Sequence, residues 1–128
     1  MVGIVLVSHS ADLANGTAEL ASQLAGESVG IEAVGGGPDG SLGTDGDRVH
    51  AAIERADRGD GVVILGDLGS AILTVRHVLE HNGSNGHVRL VDAPFVEGAV
   101  AAAVVASAGV PLADVAKAAE EARGVPKL

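Results

Sequence analysis

The sequence predicts an open α/β domain in which a mainly parallel sheet of four strands lies between two layers of helices. Four short aliphatic runs alternate with stretches of helical length along the 128 residues. Such alternation is typical of right-handed βαβ units. The aliphatic runs are nearly continuous, as in strands that are buried on both faces. One domain spanning residues 1–128 is expected, because a chain of this length supports one ordinary core.

The predicted strands are the aliphatic runs, each bounded by polar residues or glycine. They are Val2–Val7, Val29–Val34, Gly61–Gly66 and His87–Ala93, of which the last is the most polar. The predicted helices lie between and after these runs. They are Ala11–Ala25, Asp45–Arg58, Ser70–His81, Val96–Ala108 and Leu112–Ala122. The sequence NGSNG ends the third helix, and Gly109 with Pro111 separates the last two.

The helix predicted over 96–108 is unusual because it is apolar nearly all round. A helix at the surface of a globular protein normally has a polar face. Two interpretations remain open at this stage. The helix is packed within its own domain, or it forms a subunit interface in which Ala and Gly allow close approach. A symmetric homodimer is the commonest form of such an interface.

Composition excludes several classes of function. Lys and Arg number 8 against 17 Asp and Glu, and the net charge of −9 disfavours a nucleic-acid partner. The absence of cysteine excludes disulfides, thiolate catalysis and cysteine-based zinc sites. No basic segment precedes the apolar start, and the longest apolar run is shorter than the roughly 20 residues of a membrane-spanning helix. We expect a soluble, cytoplasmic protein with no membrane partner.

The candidate site is predicted from the ends of the strands. Ligands of open α/β sheets bind beyond the carboxyl ends, where the strand order reverses. A flavodoxin-like order of 2-1-3-4 places this point between the first and third strands, which are followed by His9 and Asp67. The second strand ends in the loop GGGPDGSLGTDGD, which contains Thr44. A histidine, a carboxylate, a hydroxyl and backbone amides are expected to converge there.

These groups suit phosphoryl transfer through a phosphohistidine. A neutral imidazole nitrogen is nucleophilic, and a carboxylate on the opposite nitrogen fixes the tautomer. Thr44 and the helix-starting amides near Gly69 and Ser70 could hold the phosphoryl oxygens. This chemistry requires no metal or bound nucleotide. The pattern alone leaves open that His9 is a structural residue and that Asp67 only begins a turn.

Four motifs add a family resemblance that covers nearly the whole chain. They are VSHS around His9, GTD at 43–45, GDLGSA at 66–71 and APFVEGA at 93–99. In order and spacing they resemble the mannose-class IIA (EIIA) proteins of the bacterial phosphotransferase system. Within this class they closely resemble DhaM, the phosphotransfer subunit of phosphoenolpyruvate-dependent dihydroxyacetone kinases. Sugar-specific relatives carry a longer Gly-Gly-Ser-Pro turn, so DLGSA followed later by VEG favours the dihydroxyacetone branch.

The resemblance implies a phosphoryl relay. His9 would accept a phosphoryl group from the carrier HPr on Nε2, with Asp67 on the other ring nitrogen. It would pass the group to ADP held on the partner subunit DhaL, which phosphorylates dihydroxyacetone bound to DhaK. This chain would then need no cofactor of its own. Thr44, Gly69 and Ser70 match the family pattern, and the family's dimeric habit implies a homodimer. Because the chain ends at Leu128, separate carriers are expected to supply the phosphoryl group.

Other interpretations are weaker but remain distinct. A sugar-specific IIA protein and a non-catalytic flavodoxin-like regulatory module share the predicted fold. GGGPDG fits a dinucleotide-binding pattern, yet Pro38 and further turn residues follow instead of a helix. His77 and His81 have a metal-binding spacing without an evident third ligand, so no metal is expected. A Ser-His-Asp hydrolase built on Ser8 or Ser10 lacks a nucleophile elbow.

Overall fold

The computed structural model describes residues 1–37, 39, 43–82 and 86–128, and it confirms the predicted fold class. A four-stranded sheet has the order β2-β1-β3-β4, and every neighbouring pair of strands is parallel. The strands are β1 (Gly3–Ser8), β2 (Ile31–Gly35), β3 (Val62–Gly66) and β4 (Val88–Leu90). The helices are α1 (Ala11–Ala25), α2 (Gly46–Ala56), α3 (Gly69–Asn82), α4 (Phe95–Ala106) and α5 (Leu112–Glu121), and a short 3₁₀ turn (Ala122–Gly124) follows α5.

The strand β4 is shorter than the sequence predicts. Its prediction covered His87–Ala93, whereas the observed strand has three residues, Val88–Leu90. It is the edge strand beside β3, and the amide of Val91 makes one further bond to the Ile64 carbonyl, at 3.0 Å. Pro94 then caps α4 and has no N–H to continue a ladder. The polar character of this run therefore reflects an edge position.

The core consists of two apolar layers, one on each face of the sheet. Residues of β1 alternate between them, since successive strand side chains point to opposite faces. Ile4 and Leu6 pack with α4 and α5, whereas Val5 and Val7 pack with α2 and α3. All six residues of β1 are buried. The central strand is thus fixed from both sides, and so is the point at which it ends.

The apolar helix α4 is packed largely within its own domain. Its buried residues face α1, α5 and the sheet, and they are Gly98, Ala99, Ala102, Ala103 and Ala106. A Cβ atom at Gly98 would lie 3.0 Å from Leu65 Cδ2, so the helix approaches the sheet closely. Val104 is exposed on the opposite side. Among residues 1–37, 39, 43–82 and 86–128, no helix is both long enough and apolar enough to span a bilayer.

Candidate functional site

The position of His9 follows from two elements that nearly meet. The strand β1 ends at Ser8 and α1 begins at Ala11. Ser10 is the N-cap of α1, and its hydroxyl accepts a hydrogen bond from the Leu13 amide at 3.2 Å. His9 is therefore held between a buried strand and a capped helix. The backbone on both sides of the histidine is fixed.

Asp67 reaches His9 because β1 and β3 are neighbours in the sheet. Val7 is in register with Gly66, the last residue of β3. Asp67 Oδ1 lies 3.0 Å from His9 Nδ1, and Oδ2 accepts the His9 amide at 3.0 Å. The two side chains are 22% and 11% exposed. One carboxylate thus binds both the ring and the backbone of the histidine.

Asp67 is ionised and accepts hydrogen bonds from two further donors. The Ser8 hydroxyl donates to Oδ2 at 2.8 Å, and the Leu68 amide donates to Oδ1 at 2.7 Å. Desolvation by burial acts to raise the pKa of Asp67, but the hydrogen bonds from His9, Ser8 and Leu68 outweigh it, and the pKa lies below its ordinary value. Because a carboxylate only accepts hydrogen bonds, the Nδ1 that faces it carries the ring proton.

The other ring nitrogen of His9 faces the first turn of α3. His9 Nε2 is in hydrogen-bonding contact with Ser70 Oγ. The helix begins at Gly69, as the sequence predicts within one residue. The first amides of an α-helix have no carbonyl acceptor in their own helix. The amides of Gly69 and Ser70 are therefore the helix-terminal donors of this rim, and Ser70 adds a hydroxyl that the sequence did not indicate.

The glycine-rich loop brings Thr44 to the same rim. The Gly43 amide donates to the His9 carbonyl at 3.0 Å. Thr44 Oγ1 lies 2.8 Å from Thr74 Oγ1, which donates to the Ser70 carbonyl at 3.1 Å. Thr44 therefore lies beside the turn that carries Ser70. Pro38, Gly40 and residues 41–42 of this loop lie outside the described residues.

Ser8 and Ser10 are the site residues that sequence reasoning left without a role. Ser8 is completely buried and binds Asp67, and the Ser10 amide donates to Ser8 Oγ at 3.0 Å. These contacts also remove the basis of the hydrolase alternative for Ser8, because its hydroxyl is not accessible to a substrate. The available signal was the pair of hydroxyl residues that flank the histidine in VSHS.

The other histidines take part in separate contacts. His81 Nδ1 lies 2.9 Å from the His77 carbonyl, and the two rings are 4.1 Å apart at their centroids. His50 Nε2 lies 2.9 Å from Glu54 on α2. His87 Nε2 lies 3.4 Å from Asp57 at the opposite end of the sheet from His9. In the part of the chain that the structure describes, no three His, Cys, Asp or Glu side chains form a metal-binding group.

Fold and site together define a class of protein. A parallel sheet of order β2-β1-β3-β4 presents a histidine–carboxylate pair where the strand order reverses. The family model described as the fructose IIA component of the phosphotransferase system (EIIA-man) matches residues 3–116. The chain belongs to this mannose-class IIA family.

Curated relatives confirm the resemblance to DhaM. The Escherichia coli (strain K12) phosphoryl donor subunit DhaM of the PEP-dependent dihydroxyacetone kinase is 41% identical over 114 residues, which are 85% of this chain and 24% of that protein. The chain thus spans about a quarter of that relative. The Listeria innocua DhaM of dihydroxyacetone kinase 2 is 38% identical, over 81% of this chain and 85% of its own length.

A solved structure supports the fold independently. It is a crystal structure of a protein of unknown function that is 34% identical in sequence to this chain. It superposes with a TM-score of 0.84 and covers 94% of this chain and 95% of its own. The similarity extends over the sheet and both helical layers, so the site described above lies in a fold that relatives share.

Proposed function

We propose that this chain is the DhaM-type phosphoryl carrier of a cytoplasmic dihydroxyacetone kinase. His9 accepts a phosphoryl group from HPr and passes it to ADP bound on DhaL, which serves DhaK. The observation that carries the proposal is the contact between Asp67 Oδ1 and His9 Nδ1, at 3.0 Å. It assigns the ring proton to Nδ1 and leaves the lone pair on Nε2 at the rim of the sheet.

The transfer needs only groups of this chain and of its partners. In the first step Nε2 attacks the phosphorus atom, an N–P bond forms, and the bond between phosphorus and the donor breaks with its electron pair staying on the donor. In the second step an oxygen of the ADP β-phosphate attacks, and the electron pair of the N–P bond returns to Nε2. Asp67 stabilises the imidazolium-like ring of the phosphorylated state. This chain is proposed to hold no cofactor.

Donors around Nε2 would hold the phosphoryl oxygens. The Ser70 hydroxyl contacts Nε2 in the resting protein, and Thr44 lies beside the same helical turn. Once phosphorus occupies Nε2, the Ser70 hydroxyl can donate to a phosphoryl oxygen instead. The amides of Gly69 and Ser70 add the positive end of the α3 dipole. Phosphoryl transfer depends mainly on such positioning and charge stabilisation.

The surface near His9 suits a protein partner. Leu13 lies in the first turn of α1, Leu68 directly follows Asp67, and Leu73 lies one turn after Ser70; all three side chains are exposed. Large apolar side chains gathered around a polar site are typical of protein–protein contact. The donor and acceptor in this proposal are both proteins, and they would use this rim in turn.

Labelling tests the proposal directly. The protein is incubated with phosphoenolpyruvate, Enzyme I and HPr, and the phosphate bound to it is measured after acid and after base treatment. We expect an acid-labile, base-stable label on the wild type and none on His9→Ala. Since His87 has an aspartate partner but lies at the other end of the sheet, His87→Ala is the matched control and should label fully. Equal labelling of His9→Ala would refute the proposal.

The acceptor distinguishes the dihydroxyacetone branch from a sugar-specific IIA protein. The names of the curated relatives refer to dihydroxyacetone kinase, which favours the first. Labelled protein is mixed with DhaL carrying ADP or with a IIB protein of a sugar system, and the loss of label is followed. We expect rapid discharge onto DhaL with formation of ATP. Discharge onto the IIB protein alone would contradict the dihydroxyacetone assignment, and labelling with no discharge onto either would contradict the relay.

We also propose a homodimer that uses the outer surface of α1 and α4. These helices pack on each other, and Leu20, Leu24 and Val104 are exposed on them. Light scattering after size-exclusion chromatography should give twice the chain mass for wild type and the single-chain mass for Val104→Asp. Circular dichroism of the variant serves as the folding control. A monomeric wild type at micromolar concentration would refute the dimer.

A further inference from the structure

Ser8 occupies a constrained position next to the His9–Asp67 pair. It is the last residue of β1 and is completely buried. Its oxygen accepts the Ser10 amide at 3.0 Å and lies 2.8 Å from Asp67 Oδ2. An amide only donates and an ionised carboxylate only accepts, so the direction of both bonds is fixed. The single hydroxyl proton of Ser8 must point at Asp67.

The carboxylate of Asp67 is held by two donors on each oxygen. The His9 ring and the Leu68 amide meet Oδ1, while the His9 amide and the Ser8 hydroxyl meet Oδ2. Ser8 is the one of these donors that is a side chain anchored in the buried central strand. Losing it would leave the His9 amide as the one donor on Oδ2, so the carboxylate would be held less firmly against rotation. Rotation would move Oδ1 away from the histidine ring.

We infer that Ser8 is a positioning residue, which holds the Asp67 carboxylate so that Oδ1 retains the Nδ1 proton of His9. The ring is thereby kept in the tautomer that exposes the Nε2 lone pair. The catalytic consequence rests on the proposed function. The positioning itself is a property of the resting protein, so it can be measured even if no phosphoryl transfer occurs.

Three variants separate positioning from simple support of the fold. Ser8→Ala removes the hydroxyl, and Ser8→Thr retains it. Ser8→Cys keeps a side chain of similar size with a weaker donor and replaces Ser8→Ala if that variant does not fold. Ser107→Ala is the control, because it removes a serine hydroxyl that bonds to the Val104 carbonyl at the end of α4 and has no contact with the His9–Asp67 pair.

The first measurement is the ¹⁵N NMR spectrum of the histidine ring in the unphosphorylated protein above pH 8. We expect His9 of wild type, Ser107→Ala and Ser8→Thr to be protonated on Nδ1. In Ser8→Ala or Ser8→Cys, the signals should shift towards a mixture of the two tautomers. A general loss of stability would not produce this change in a protein that remains folded. An unchanged Nδ1-protonated ring in Ser8→Ala and Ser8→Cys would overturn the inference.

The second measurement is the initial rate of labelling by phosphorylated HPr. Ser8→Ala is expected to lower this rate about 10-fold relative to Ser107→Ala, as for the loss of one hydrogen bond to a charged group. Ser8→Thr should recover most of the rate. If Ser8→Ala labels as fast as wild type, the inference is wrong. If wild type itself is not labelled, the proposed function fails, and the tautomer measurement alone decides the role of Ser8.

Discussion

Two histidine–aspartate pairs lie at opposite ends of the sheet. They contain the same chemical groups but differ in distance, in exposure and in the elements that position them. At the carboxyl end, His9 Nδ1 is 3.0 Å from Asp67, with side chains 22% and 11% exposed. At the amino end, His87 Nε2 is 3.4 Å from Asp57, with side chains 47% and 32% exposed. The first pair follows two central strands. The second joins the end of α2 to the start of the edge strand β4.

The surroundings of each aspartate explain the difference. Asp67 accepts from His9, Ser8 and Leu68, whereas Asp57 accepts the Gly59 amide at 2.9 Å in a surface turn. Exposed ion pairs are screened by water and contribute about 0–1 kcal/mol. A partly buried carboxylate with several donors fixes its own orientation and that of its partner. The two ends of the sheet therefore carry the same pair of groups, but the pair at the carboxyl end is the one whose histidine ring is held in a fixed orientation.

The largest difference between the pairs should appear when each aspartate is changed to asparagine. Asp67→Asn removes the anionic acceptor of the Nδ1 proton and misorients the ring. Misplacement of a reacting group commonly costs about 100-fold in rate. We expect Asp67→Asn to lower the rate of labelling by HPr roughly 100-fold and Asp57→Asn to leave it unchanged. Equal rates for the two variants would show that Asp67 does not orient His9.

A second difference concerns the nitrogen that is not bound to aspartate. His9 Nε2 contacts Ser70 Oγ at the start of α3. Ser70→Ala should slow labelling about 10-fold, because one hydroxyl donor to the charged phosphoryl group is lost. Ser107→Ala is a suitable control, since this hydroxyl bonds to the Val104 carbonyl at the end of α4. A Ser70→Ala rate equal to that of Ser107→Ala would remove Ser70 from the site.

A smaller effect is expected at Thr44, which reaches the rim through Thr74. Their hydroxyls are 2.8 Å apart in the resting protein. Thr44→Val retains the shape of the side chain without the hydroxyl. The loss of one hydrogen bond should slow labelling about threefold. Rapid-quench measurement of the first turnover detects this change, and an unaltered rate would place Thr44 outside the phosphoryl site.

The smallest effect is on stability as a function of pH. The folded-state pKa of Asp67 is below its ordinary value of 3.8, so the unfolded state binds the proton more tightly. The resulting stabilisation is present above about pH 4 and is lost as the pH falls through the folded pKa. Urea unfolding of wild type and Asp67→Asn should therefore give a stability difference that narrows below pH 4. A difference that stays constant from pH 6 to pH 2.5 would contradict this assignment.

With a flavodoxin-like strand order of 2-1-3-4 assumed for the alternating strands and helices, the sequence predicted that His9 and Asp67 meet, and both the order and the contact are observed. It also predicted α1 at its observed bounds, although the sequence analysis did not recognise Ser10 as its N-cap. The short length of β4 could not be predicted from the sequence. The number of neighbouring strands decides over how many residues a polar run pairs, and β4 lies at the edge of the sheet. Sequence reasoning missed the role of Ser8 because side chains of adjacent strand residues point to opposite faces, so Ser8 was expected to point away from His9. In the structure β1 ends at Ser8, and the Ser8 hydroxyl reaches the same Asp67 carboxylate that binds His9.

The most direct test of the proposed phosphoryl transfer is to identify the atom that carries the phosphoryl group. The protein is labelled with ¹⁵N in its histidine rings, phosphorylated by phosphoenolpyruvate, Enzyme I and HPr, and examined by ¹⁵N and ³¹P NMR. We expect one phosphohistidine, at His9, with phosphorus bound to Nε2 and the proton retained on Nδ1 towards Asp67. Phosphorus on Nδ1 of His9, or on any other residue, would contradict it.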